Sequence, residues 1–264
     1  CTYEVFERAL KKIKIDTGVG MDRWSAYTLR KAHKAERVGY WHDLTRCIAT
    51  HRFPHAFTNW NCMLAMKPGE DPRDFARRRD LWLMPHGQKL TMRLLQTEYD
   101  RAAEEVVPGG QAGFTCMRGA PEQMLMMRIH KEHCMALRTP CLRGFVDWAT
   151  MFMSIIRQVS FEVEKRSGVK PEVIDVVRVL YGQTKGRFET EWGMTDGVLI
   201  AEGVGQGCVA APVRSKLVIG IVQRAISAFS RGYKFTGASG GTPSLIYADD
   251  GALLASSLAD LQMM

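Results

Sequence analysis

The tetrad Tyr247-Ala248-Asp249-Asp250 constrains this chain more than any other segment. Ser244-Leu245-Ile246 leads into it and Gly251-Ala252-Leu253-Leu254-Ala255 leads out. The stretch therefore reads as strand, tight turn, strand, with Asp250-Gly251 as the turn signal. Two carboxylates at the tip of an apolar hairpin are costly unless a counter-charge neutralises them. A pair of divalent metal ions does so, and paired ions serve phosphoryl transfer. The tetrad thus points to a chemistry as well as to a local fold.

Composition sets the outer bounds. The 264 residues are 46% hydrophobic and 24% charged, enough for one large domain or two subdomains around a real core. The formal net charge of +8 suits a polyanionic partner, though a merely basic surface explains it equally well. No apolar run approaches the roughly 20 residues that cross a bilayer, and the first residues do not form a signal peptide. The chain begins without methionine and ends at Met264, 14 residues after Asp250, so a piece of a longer protein is expected. Seven scattered cysteines without a Cys-x-x-Cys pair point to a reducing, intracellular setting. His130, His133 and Cys134 could share one helical face, but no fourth metal ligand is evident. They read as solvated helix residues, as do His51 and His55.

Strands interleave with helices, which indicates an α+β fold. Residues 1–50 look helical, and a loop is punctuated by Gly18, Gly20 and Asp22. Short strands are expected at Asn61 to Met66 and Leu81 to Leu83. Helices are expected over Lys89 to Val106 and Glu122 to Leu137. Leu142 to Trp148 reads as a buried strand. Its alternation turns Leu142, Val146 and Trp148 to the core and Asp147 to a second surface. A helix with Phe152, Ile155, Ile156, Val159 and Val163 on one stripe follows. Pro171 and Gly182 bound the next helix. A hairpin is expected over residues 188–201, then a glycine-rich loop at Gly203 to Gly207 and a helix from Pro212 to about Ser230.

Asp147 at a strand end, Gly205-Gln206-Gly207 before a helix, and the Asp249-Asp250 hairpin are each common alone. In this order they resemble the palm motifs of reverse transcriptases. Gly144-Phe145-Val146-Asp147-Trp148-Ala149 resembles the first aspartate motif of that family. Val204-Gly205-Gln206-Gly207-Cys208-Val209-Ala210-Ala211-Pro212 resembles its Gln-Gly-x-x-x-(Ser/Ala)-Pro motif, and Tyr247-Ala248-Asp249-Asp250 its tetrad. Upstream, Gln111-Ala112-Gly113-Phe114 with Arg118-Gly119 is similar to the Gln-x-Gly-Phe-x-x-x-Arg-(Gly/Ser) segment. Gly20-Met21-Asp22-Arg23 is similar to the N-terminal loop. The likeness covers about residues 18–264 and is greatest to the enzymes of non-LTR retrotransposons and group II introns.

The resemblance implies an α+β right-hand polymerase with fingers and palm, an antiparallel palm sheet backed by helices, and a missing thumb. It divides the chain into an N-terminal helical extension (1–17), fingers with the start of the palm (18–140) and a palm truncated before the thumb (141–264). It implies an RNA template, a DNA primer and deoxynucleoside triphosphates as partners, with no membrane. Two Mg²⁺ ions are the expected cofactors, with Mn²⁺ as a substitute. Asp147 and Asp249 would bridge the ions. Asp250, which cannot point the same way as Asp249 along a regular strand, would support them. Lys67 and Arg79 would hold the triphosphate, with Arg77 and Arg78 as rivals of Arg79. Gln206 would contact nucleotide or template. Phe152 would either stack under the sugar and exclude a 2′-hydroxyl or belong to the core. The chain departs from the family pattern at Met151-Phe152-Met153, at Asp80 beside Arg79, and at Cys116-Met117. A decayed, non-catalytic copy and a maturase-type RNA-binding scaffold are the alternatives.

Overall fold

A computed structural model describes residues 1–15, 20, 22, 24–65, 69, 71, 78–190, 192–205 and 207–264. Lys67, Arg77 and Gln206 lie outside the described residues, and of Arg79 only the backbone is described. The described residues form eleven helices and two small sheets, a mixed α/β architecture compatible with the expected α+β class.

The first sheet has five strands. β1 (Asn59–Ala65) is central, with β2 (Arg79–Leu83) antiparallel on one side and β4 (Lys185–Thr190) parallel on the other. β4 also pairs with the two-residue strands β5 (Gly193–Met194) and β6 (Val198–Leu199). β4 comes from the C-terminal half of the chain and completes the sheet of β1. The second sheet runs β3 (Leu142–Asp147), β8 (Asp250–Ala255), β7 (Ser244–Tyr247), all antiparallel.

Helices cover both sheets. α1 (Tyr3–Lys12), α2 (Ala26–Lys31) and α3 (Lys34–Thr50) bury Phe6, Leu10, Leu29 and Leu44 against Leu90 of α5 (His86–Val106). The largest core joins Trp60 and Trp82 of the first sheet to Tyr99 of α5, to Val177, Leu180 and Tyr181 of α9 (Pro171–Gly182), and to Leu217 of α10 (Ala211–Phe229). Pro171 at the start of α9 supplies the fixed φ a helix N-terminus accepts. α6 (Ala120–Leu137) covers one face of the second sheet through Cys134, while Ile219 of α10 meets Ile246 on the other. α4 (His55–Thr58) and α11 (Leu258–Met263) are short flanking helices. No helix among the described residues is long and apolar enough to cross a membrane.

The segment after β3 departs from the expected single helix. It breaks into α7 (Met151–Ser154) and α8 (Arg157–Arg166), leaving Ile156 56% exposed. The cause is the loop at residues 202–204. Gly203 N–H donates to the Ile155 carbonyl at 2.9 Å and Val204 N–H to the Phe152 carbonyl at 2.8 Å. The Glu202 carboxylate accepts from Arg157 N–H at 2.7 Å. These bonds replace the intrahelical partners that a continuous helix would need.

Asp22 explains the start of α5. No side chain of the neighbouring Pro85 caps that helix, and the Asp22 carboxylate accepts from Gly87 N–H at 2.9 Å instead. Beside it, His86 is fully buried, and burial, with Lys89 adding to it, pushes its imidazole down to about 4. The folded protein therefore binds this proton less well than the unfolded chain. The stabilisation is complete above the ordinary histidine pKa and fades as pH falls towards 4, by on the order of 3 kcal/mol. Burial raises the Asp22 carboxyl, which offsets part of this loss. His86→Gln is expected to flatten the fall in stability between about pH 6.5 and pH 4, measured by urea unfolding across that range.

Candidate functional site

β3 is an edge strand rather than the buried one expected, and Phe145 is 72% exposed. The alternation itself holds. Trp148 packs with Met151, Ile219 and Ile246 on one face, while Asp147 stands exposed on the other. Antiparallel register puts Asp147 directly opposite Asp250, and Asp250 directly opposite Tyr247. These three side chains form one row across the sheet. α6 covers the neighbouring rows through Leu245, Ala252 and Leu254, and the aspartate row remains open to solvent.

The turn lies one step earlier than the sequence suggests. Tyr247 pairs with Asp250, so Ala248-Asp249 are the two loop residues and Gly251 belongs to the ladder. Ala248 has φ +57°, a left-handed conformation that a non-glycine residue adopts at a cost on the order of 1 kcal/mol. Two contacts hold it. Gly110 to Ala112 run along the outer edge of β7, with Ala112 N–H donating to the Ile246 carbonyl at 2.9 Å and Ile246 N–H to the Gly110 carbonyl at 2.9 Å. Gly113 then lies beneath the turn so closely that a Cβ there would stand 2.1 Å from Ala248 N. Gly251, in the middle of the ladder, makes room for the Trp148 indole, which a Cβ would meet at 3.3 Å.

Trp148 N–H donates to the Asp249 carbonyl at 3.2 Å. Residues 148 and 249 thus belong to a hydrogen-bonded pair, and the preceding pair, Asp147 and Asp250, is of the closer non-hydrogen-bonded kind. Asp249 sits in the turn, so strand alternation does not set its direction. The basis for ranking Asp250 below Asp249 falls away, because Asp250 is the residue that faces Asp147 across the ladder. All three carboxylates are exposed at one corner of the sheet. Their donor set is wholly oxygen, which suits a hard divalent cation. They do not close into a tight cluster as they stand. Among the described residues, only His130, Cys134 and Cys141 have ligand atoms all within 4.8 Å of one another.

Phe152, in α7, is half-buried against the core, and its ring centroid lies 6.0 Å from that of Phe114, which follows Gly113. It is therefore core-packed and beside the aspartate turn at once. Met151 is buried against Ile219 and Ile246, so its bulk fills the core. Gly205, at φ +63°, and Gly207, at φ +105°, lie against Trp60 and the Trp82 carbonyl, which brings the loop onto the first sheet.

A buried network behind the loop was not legible in the sequence. Arg157 donates to the carbonyls of Gly203 at 2.8 Å, Glu202 at 3.1 Å and Tyr181 at 2.8 Å. The Tyr181 hydroxyl donates to the Val204 carbonyl at 2.9 Å. Arg214 meets Glu164 at 2.7 Å with both side chains wholly buried, and Tyr99 and Ser160 donate to the same carboxylate at 3.0 and 2.6 Å.

A surface groove of about 1110 Å³ lies elsewhere, between α8 and α9. Four of its charged residues form ion pairs, Arg166 with Glu162 and Arg178 with Asp175, each at 2.6 Å. No protein-family model matches the chain, and a search of curated proteins gives no match.

Proposed function

We propose that this chain is the polymerase region of a retroelement reverse transcriptase, of the non-LTR retrotransposon or group II intron kind. In this reading the second sheet is the palm, the first sheet belongs to the fingers, and the aspartate corner is the catalytic centre. One observation carries the proposal. Three acidic residues from segments about 100 positions apart come to one exposed corner, with Asp147 opposite Asp250 and Asp249 in the connecting turn.

Exposed carboxylates, without a basic partner among the described ion pairs, fit Mg²⁺, which keeps waters and shares ligation with substrate phosphates. Asp147, Asp249 and Asp250 would hold two such ions. When bound, the ions stabilise the attacking 3′-oxygen and the departing pyrophosphate. The chain's own part is positional. Gly113 and Trp148 fix the hairpin tip, and Arg157 and Tyr181 hold the glycine loop by its carbonyls. Phe152 closes one side. Lys67, Arg79 and Gln206 would meet the nucleotide.

Mg²⁺-dependent primer extension on an RNA template is the test. Asp249→Ala is expected to lower the rate by about a thousandfold, the several kcal/mol that metal stabilisation supplies. Undiminished extension would reject the proposal. A decayed copy would show no Mg²⁺-dependent binding of a deoxynucleoside triphosphate.

Phe152 gives a finer expectation. Phe152→Val should raise incorporation of ribonucleotides relative to deoxynucleotides by roughly tenfold or more, measured by competition. It should also cost roughly 1–3 kcal/mol of stability, because the ring is packed against the core. Unchanged sugar selection would leave Phe152 as core alone.

A further inference from the structure

Away from the aspartates, α6 and the segment before β3 assemble a different donor set. His130 and Cys134 stand one turn apart on the same face of α6. Cys141 arrives from the short connection to β3, with its Sγ 3.8 Å from His130 Nδ1. The nitrogen and the two sulfurs lie within 4.8 Å of one another. A tetrahedral zinc ion with Zn–S of about 2.3 Å and Zn–N of about 2.0 Å sets nitrogen and sulfur about 3.5 Å apart. The Cys141 Sγ–His130 Nδ1 separation of 3.8 Å is close to that spacing, and the remaining separations stay within 4.8 Å.

The surroundings point the same way. All three groups are available, since both cysteines are free thiols. His130 and Cys134 are almost wholly buried, and His130 Nε2 has no hydrogen-bond partner. The imidazole nitrogen facing Cys141 is Nδ1, so the unpartnered Nε2 is not the atom this cluster would offer to a metal. Nδ1 accepts from Arg143 Nε at 3.2 Å. Arg143 also donates to the Met127 carbonyl, so it keeps a partner if Nδ1 turns to a metal. A zinc ion with two thiolates is neutral overall, so the nearby guanidinium is no obstacle. The expectation that His130, His133 and Cys134 are solvated helix residues fails for His130 and Cys134. His133 bonds instead to Tyr233 and Thr236, at 2.6 and 2.8 Å.

We propose that His130, Cys134 and Cys141 form a site for a thiophilic divalent ion of the zinc class, with the fourth position open to water. Binding releases the two thiol protons to solvent. The site clamps the end of α6 to the start of the strand that ends in Asp147. It is independent of the polymerase reading, because sulfur donors select against Mg²⁺ and the aspartate corner has none.

The test uses the full chain, reduced and stripped of metal. It is titrated with Zn²⁺ against a chromophoric chelator, and with Co²⁺ to detect a thiolate charge-transfer band. One equivalent should bind and the cobalt band should appear. Cys141 is exposed, so Cys141→Ser should keep the fold while weakening binding at least tenfold and reducing the band. Cys116→Ser, an exposed cysteine outside the cluster, should change neither. Absence of the band, or equal affinity in Cys141→Ser, overturns the proposal. So does a protein whose Cys134 and Cys141 form a disulfide and that takes up no zinc after reduction.

Discussion

Replacing Arg214 by methionine is expected to destabilise the protein by about 3–5 kcal/mol, the cost of leaving a buried charge without its partner. Glu164 is 0% exposed and receives Arg214, Tyr99 and Ser160 on its two oxygens. Burial opposes the charge on Arg214, but Glu164 and the rings of Tyr99 and Tyr181 outweigh it and hold the guanidinium charged. The guanidinium lies 5.0 Å from the Tyr181 ring and 5.4 Å from that of Phe161, so it is stacked as well as paired. It also sits in the first turn of α10, where the helix dipole disfavours a cation unless a carboxylate is close. A domain stable by some 5–15 kcal/mol would lose a large part of that margin. Arg214→Met with Glu164→Leu should recover much of the loss, because the stranded charge is gone. Guanidinium unfolding of the single and double variants measures both. A single variant within about 1 kcal/mol of the parent would show that the pair is not structural. Tyr181 links this network to the Val204 carbonyl, so the single variant should also loosen the glycine loop.

Gly113→Ala is the second large effect. An added Cβ would lie 2.1 Å from Ala248 N, 2.9 Å from its Cα and 3.0 Å from the Tyr247 carbonyl carbon, all backbone atoms that cannot rotate away. The hairpin tip must move, and with it Asp249 and Asp250. Displacement of reacting groups by about 1 Å costs on the order of a hundredfold in rate, so under the proposed function Mg²⁺-dependent extension should fall by that much or more. Gly109→Ala, four residues earlier and with nothing within 4 Å of its Cβ, should leave activity near the parent value. Equal activity in Gly113→Ala and Gly109→Ala would show that the tip is not braced in this way.

Helices and strands were largely legible because their apolar periods are clear, as with the stripe through Leu90, Leu94 and Leu95 and the proline that opens α9. The misplaced turn has a definite cause. Asp250-Gly251 carries the local chemistry of a hairpin loop, but Gly251 is needed inside the ladder beneath Trp148. The left-handed residue falls on Ala248, where packing against Gly113 fixes it. Periodicity also predicted one helix after β3, since nothing local announces that loop 202–204 would take the carbonyls of Phe152 and Ile155. The parallel pairing of β1 with β4 joins residues more than 120 positions apart and leaves no local trace. The meeting of Asp147, Asp249 and Asp250 at one corner was legible because paired acidic groups at the tip of an apolar hairpin are unusual. The buried Arg214–Glu164 pair and the Cys141 thiol were not, since each gains its partner only through tertiary packing.

Asp147, Asp249 and Asp250 are proposed to act together on divalent metal. Mn²⁺ binding in the presence of a deoxynucleoside triphosphate, followed by the ion's paramagnetic effect on water relaxation, tests this most directly. Each of Asp147→Ala, Asp249→Ala and Asp250→Ala is expected to weaken the ternary complex by about two orders of magnitude, at least the loss seen when groups behind a metal ligand are removed. Binding as tight as that of the parent chain in any one of them would contradict a shared site.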